Sequence, residues 1–174
     1  MHIFLRGPIQ VGKSTALQKA VLQLIKEYKL EPAGFLTHAG LAEDSDLYMS
    51  AYGEPLSYDM GHKIAVRKEK QIAGYPSVFE SLGVAFLQAA RKNSTLLIMD
   101  ELGFLEKDAL SFQQEVFHCL NGNIPVLGVI KERPVAWLEE IRKHPSVLVL
   151  DVTMENRSEI PSLICQVFRD NYSS

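Results

Sequence analysis

Apolar positions recur along this chain at two spacings, and the switches between them mark out its elements. Ile3, Phe4 and Leu5 form a short apolar run that reads as a strand. Leu17, Val21, Leu24, Ile25 and Tyr28 then recur at helical spacing, with Lys19, Lys26, Glu27 and Lys29 between them, so one face of a helix is buried. Pro32 breaks that pattern, and Ala33 to Thr37 predicts a second strand. From Gly40 to Gly74 polar turn residues surround two alternating runs, Leu47 to Tyr52 and Lys63 to Arg67, with turns near Gly53-Glu54-Pro55 and Gly61-His62. This predicts a small antiparallel β insertion at 40–74, a hairpin or meander on the core, because ~35 residues are too few for a separate domain.

Pro76 is placed to open a helix whose buried face is Val78, Phe79, Leu82, Ala85, Phe86 and Ala89. Thr95 to Met99 is continuously apolar, as a strand covered on both sides must be, and it ends in Asp100-Glu101. A helix is expected over 106–120, ending at Asn121-Gly122-Asn123, and a buried strand over 124–130. A short helix over 134–143 and a strand over 147–152 follow. Ile160, Leu163, Ile164, Val167 and Phe168 stripe a last helix, for which Ser158 is the expected N-cap with Pro161 in the first turn.

Strands alternating with helices predict a single α/β domain over residues 1–174, built on a mostly parallel sheet with helices on both faces. In such sheets ligands sit beyond the carboxyl ends of the strands, where Gly7, Asp100 and Lys131 would emerge. Composition adds limits. The net charge of −3 gives no basic footprint, so long duplex nucleic acid is not an expected partner. Cys119 and Cys165 lie far apart in apolar helical registers and read as buried free thiols. No apolar run approaches the ~18 residues that span a bilayer, and the chain begins directly with a strand, so a cytoplasmic protein is expected.

The chemistry begins between the first strand and helix. Gly7-Pro8-Ile9-Gln10-Val11-Gly12-Lys13-Ser14 has the spacing G-x-x-x-x-G-K-[ST], and Thr15 continues it into the helix. The glycines let successive N–H groups turn inward around a phosphate, and the helix adds its partly positive N-terminus. Lys13 supplies a catalytic charge for β/γ-phosphates, and Ser14 offers a hydroxyl to Mg²⁺. Asp100 supplies the second metal oxygen, and Glu101 is positioned to accept a proton from, or to orient, an attacking water. As neighbours on an extended chain the two acids would face opposite sides of the sheet. Transition-state charge calls for a cation; Lys131 and Arg133 follow the 124–130 strand on the active edge, and Arg133 is taken as the catalytic one. His38, a lone histidine after the second strand, is left outside the site.

With these motifs in view, the chain resembles the THEP1-type nucleoside-triphosphatase family of P-loop proteins. The resemblance rests on the G-P-x-x-V-G-K-S loop, A-G-F-L-T, I-M-D-E-L-G-F-L-E, the strand opening I-P-V-L, and the V-T-x-E-N-R close at Val152 to Arg157. It implies a RecA-like core and Mg²⁺-dependent hydrolysis of nucleoside triphosphates, ATP and GTP among them, with little base discrimination. It further implies phosphate contacts over Gly7 to Ser14, Mg²⁺ near Ser14 and Asp100, water activation by Glu101, and a base contact at Asn156 and Arg157. One departure stands out. Where the family is expected to carry an acidic, arginine-bearing hairpin, this chain has Thr37-His38-Ala39-Gly40 and then Asp44-Ser45-Asp46, with Arg67 as a weak substitute.

Two other functions share the same loop. A small-molecule or nucleotide kinase would use it with an acceptor pocket. A nucleotide-dependent regulator would dock a protein partner through the 40–74 insertion, which an exposed face shared by Tyr48, Tyr52 and Tyr58 would favour.

Overall fold

The computed structural model describes residues 1–41, 45–68 and 71–172. Eight strands form one sheet in the order β5-β4-β3-β2-β6-β7-β1-β8. They are β1 (His2–Arg6), β2 (Pro32–Ala39), β3 (Leu47–Ala51), β4 (Lys63–Lys68), β5 (Gln71–Gly74), β6 (Leu96–Leu102), β7 (Val126–Ile130) and β8 (Val147–Asp151). The run β2, β6, β7, β1, β8 is parallel, and β3, β4 and β5 continue it antiparallel from β2.

The helices are α1 (Lys13–Tyr28), α2 (Pro76–Val78), α3 (Val84–Asn93), α4 (Leu110–Leu120), α5 (Ala136–Arg142) and α6 (Ile160–Tyr172). A π-type turn, Phe79–Gly83, joins α2 to α3. None is long and apolar enough to cross a membrane among the described residues.

The two-residue period of each strand sorts its side chains between two cores. Ile3, Leu5, Leu96, Ile98, Leu127 and Val129 meet α1 and α6 on one face. Phe4, Leu97, Met99, Val126 and Ile130 meet α3, α4 and α5 on the other. Both faces are covered, so these strands read as unbroken apolar runs rather than as alternating ones. Cys119 and Cys165 are buried free thiols, one in each core.

Several boundaries differ from the expectations. Gln71–Gly74 forms β5, whose weak intrinsic strand preference is overridden by pairing with β4. The antiparallel strands therefore extend the main sheet as a three-stranded meander, while the expected turn at Gly61-His62 is a short 3₁₀ segment. Asp44, part of the departure from the family pattern, lies outside the described residues. Helix α4 begins at Leu110, because residues 103–109 fold as turns and Glu106 is needed elsewhere. Likewise α6 opens at Ile160, two residues after the expected cap Ser158.

Two interior positions test this packing. A Cβ on Gly128 would lie 2.5 Å from Phe4 Cε1 and 2.8 Å from the Met99 carbonyl oxygen. Gly128→Ala should cost about 1–3 kcal/mol in denaturant unfolding. The His2 ring is buried, with Nδ1 accepting from Val126 N–H at 3.1 Å and Nε2 donating to the Leu120 carbonyl at 2.9 Å. Burial pushes its pKa from 6.5 down to about 4. Unfolded chains bind the proton first, so the stability present above pH 6.5 is lost as pH falls toward 4. Between pH 7 and 5, wild type should lose roughly 2 kcal/mol more stability than His2→Gln, measured by urea titration at both pH values.

Candidate active site at the carboxyl edge of the sheet

Parallel pairing brings four chain ends to one edge of the sheet. Arg6 pairs with Asp151 and Asp100 with Val129, so the segments after β1, β6, β7 and β8 emerge together. Arg6 and Asp151 add an ion pair at 2.7 Å.

The first segment, residues 7–12, wraps the start of α1. Gly12 at φ 104° and Gln10 at φ 61° take left-handed conformations that curl it inward. Gly7 approaches β8's exit so closely that a Cβ would stand 2.4 Å from the Val152 carbonyl oxygen. Pro8, Ile9 and Gln10 form an exposed crest, with Ile9 87% exposed, while Val11 is anchored in the core. Lys13 is buried and closes the loop, its Nζ donating to the Gly7 and Pro8 carbonyls at 2.8 and 2.6 Å. Burial holds this ammonium below its ordinary pKa, while the Glu101 and Glu132 carboxylates pull it back up. Ser14 and Thr15 are exposed, and the first turn of α1 carries no acid, so its positive end is uncompensated by its own side chains.

Strand β6 delivers the acids. Asp100 continues the face of Leu96 and Ile98 toward α1, and its Oδ1 accepts a hydrogen bond from Ser14 Oγ at 3.0 Å. It is only 8% exposed, and burial pushes its pKa up to about 6 against the pull of Ser14 and Lys13. The register against β7 then shifts, with Asp100 opposite Val129 but Leu102 opposite Ile130. The extra residue, Glu101, leaves the strict alternation of the strand. Its N–H donates to Thr37 Oγ1 at 3.3 Å, and its Oε1 meets Lys131 Nζ at 2.9 Å. Lys13, Ser14, Asp100, Glu101 and Lys131 thus share one neighbourhood.

Arg133 lies on the same edge but its guanidinium rests on the Phe104 ring, 4.4 Å from the centroid. Asn156 is occupied in its own turn: Oδ1 accepts from Thr153 N–H at 2.8 Å and Nδ2 donates to the Asp151 carbonyl at 2.9 Å. Arg157 passes beside the loop, its Cδ 3.8 Å from where a Gly12 Cβ would be. Arg67 is exposed on β4, separated from β6 by β3 and β2.

Tyr48 is buried and packs with Tyr58 and His38, whereas Tyr52 turns away to bond Gln18 at 3.0 Å. The three tyrosines therefore present no common exposed face. His38 also bonds Ser50 Oγ at 2.8 Å, as a structural histidine would.

Of the two cations after β7, Lys131 rather than Arg133 is the one paired with Glu101; its position directly after a buried strand is the available signal in the sequence. A small cleft of about 20 Å³ opens at this point, lined by Thr37, Leu47, Glu101, Phe104, Glu106 and Lys131 among others.

The protein oxygens gathered here, one hydroxyl and one carboxylate, suit a hard cation that keeps most of its coordination for water and phosphate. Among the described residues there is no cluster of three or more His, Cys, Asp or Glu to form an all-protein cage. That donor set fits a hard divalent cation.

Comparison with known proteins identifies the family. A family model described as NTPase matches residues 2–165. A Bos taurus protein called cancer-related nucleoside-triphosphatase homolog is 32% identical, over 91% of this chain and 92% of its own. The crystal structure of THEP1 from Aquifex aeolicus superposes with a TM-score of 0.76 at 23% identity, covering 96% of this chain and 98% of that one, a likeness of fold. The solution structure of a human cancer-related nucleoside triphosphatase gives 0.71 at 25% identity, with 98% of each chain covered. The family match spans residues 2–165, and the chain belongs to the THEP1-type nucleoside-triphosphatase family.

Proposed function

We propose that this nucleoside triphosphatase acts with Mg²⁺ and tolerates any base, gripping the triphosphate through Gly7 to Thr15 and drawing its chemistry from the Asp100-Glu101 pair. The observation that carries the reading is the contact of Ser14 with Asp100, beside the Glu101–Lys131 ion pair. Lys13 leaves the Gly7 and Pro8 carbonyls for β/γ-phosphate oxygens, exchanging neutral acceptors for charged ones. Ser14 and Asp100 would hold Mg²⁺, which when bound would supply positive charge against the phosphate oxygens. Glu101 orients a water toward the γ-phosphorus and takes its proton. Lys131, already at Glu101, meets the charge of the transferring phosphoryl group, and Arg133 supplies a second cation by leaving the Phe104 ring.

The loop contacts only what all nucleotides share, which supports broad base use. Arg157 beside Gly12 is the better base contact, since the Asn156 amide is engaged in its own turn. The cleft at Glu101, about 20 Å³, has room for little more than a water, which favours water over a kinase acceptor. A single domain, a cytoplasmic setting and a protein partner at the 40–74 meander complete the reading; the net charge of −3 gives no overall basic footprint for nucleic acid.

Phosphate release from ATP, GTP, CTP and UTP tests it. Glu101→Gln should lower kcat roughly 10²- to 10⁴-fold while nucleotide still binds; undiminished release would remove Glu101 from the role of base. Lys13→Ala should lose binding and turnover together. EDTA should abolish release by wild type, and added Mg²⁺ should restore it; release that persists in EDTA would contradict the metal.

A further inference from the structure

One acid in the signature D-E-L-G-F-L-E is used by none of these steps. Glu106 is 2% exposed, an expensive place for a carboxylate. Among the described residues no ion pair compensates it, although it feels the charges of Lys131 and Glu101. Burial pushes its pKa up to about 7. What it does have is backbone N–H groups: its own amide, and that of Gly103, whose N lies 3.1 Å from both carboxylate oxygens.

The surroundings give that contact a direction. The Gly103 carbonyl accepts from Trp137 Nε1 at 3.1 Å, so the residue is held from both ends. One residue earlier, the Leu102 carbonyl accepts the N–H of Lys131 at 3.0 Å. The bare α-carbon of Gly103 is the surface along which Lys131 runs, since a Cβ there would be 3.3 Å from Lys131 Cδ and 3.5 Å from Glu106 Oε2. Phe104 lies under the lysine head, 5.8 Å from Nζ. Glu106 is itself fixed by Gln113, whose Nε2 donates to its carbonyl at 2.8 Å.

We propose that Glu106 is a positioning residue: by clamping the Gly103 amide opposite Trp137, it sets the wall that aims Lys131 Nζ at the Glu101 carboxylate. Only an acceptor oxygen is needed for this. A charged carboxylate is therefore replaceable by an amide, but not by a hydrocarbon of similar size. The inference rests on the reading of Glu101 and Lys131 as the acting pair.

The test uses phosphate release from ATP by Glu106→Leu, Glu106→Gln, Lys131→Met and the double variant Glu106→Leu/Lys131→Met, with melting temperature and affinity for a fluorescent ATP analogue measured alongside. Glu106→Leu should keep ATP KM and analogue affinity within about twofold while kcat falls roughly 10- to 100-fold, as expected for lost alignment. Glu106→Gln should restore at least half of the wild-type kcat by presenting its amide oxygen to Gly103. In the Lys131→Met background the Glu106→Leu change should add less than about twofold, because both act through one lysine.

Wild-type kcat in Glu106→Leu would overturn the proposal, as would Glu106→Gln as slow as Glu106→Leu. Losses of kcat, affinity and melting temperature in step would also overturn it, showing a merely structural role. Glu101→Gln in the same assay separates the two claims. If that variant turns over normally, the base assignment fails while the Glu106–Lys131 coupling is still read from the double variant. If it is inactive and Glu106→Leu is normal, only the positioning role fails.

Discussion

Burial of β6 on both faces is the constraint on which the arrangement of this molecule depends. A parallel strand between two helical layers must send alternate side chains into separate cores, and Leu96 and Ile98 go to one while Leu97 and Met99 go to the other. The same alternation aims Asp100 at the start of α1, where Ser14 meets it. The Ser14–Asp100 contact is therefore a continuation of core packing. Any shift of β6 by one residue would exchange its two apolar sets and carry Asp100 to the wrong layer.

At the edge of that core the chain gathers charges it does not neutralise locally. Lys13 and Asp100 are both buried, and both have their charged forms disfavoured by burial. Each is held by neutral groups instead: two carbonyls for the lysine and one hydroxyl for the aspartate. Charged partners would form stronger interactions with both groups than these neutral ones do. Lys131 and Glu101 differ, being partly exposed and already paired. The division separates Lys13 and Asp100, held by neutral groups, from Lys131 and Glu101, held by each other.

The meander of β3, β4 and β5 belongs to the same sheet as the site. Leu47 and Ile64 reach from it into the wall of the cleft at Glu101, and Tyr52 crosses to α1. Thr37, on the strand that joins meander to core, holds the Glu101 amide. Motion or partner binding in the meander would thus be felt at the acid through one strand.

The amino-acid sequence by itself determined the phosphate loop, the parallel layers and the two acids, because each is written in local spacing: glycines around a lysine and serine, and apolar runs with one period or the other. It also placed Lys131 and Arg133 on the right edge, without distinguishing the cation paired with Glu101 from the one resting on Phe104. Tertiary structure decided the rest. Gln71 to Gly74 became a strand only because β4 offered it a ladder. Glu106 sits in what local periodicity would make a helix start, and its task, clamping Gly103 opposite Trp137 from α5, depends on residues brought together by the fold. The register shift that releases Glu101 is a property of β6 against β7. Spacing along the chain encodes what neighbours in sequence must do, whereas contacts between distant strands are fixed only when both cores close.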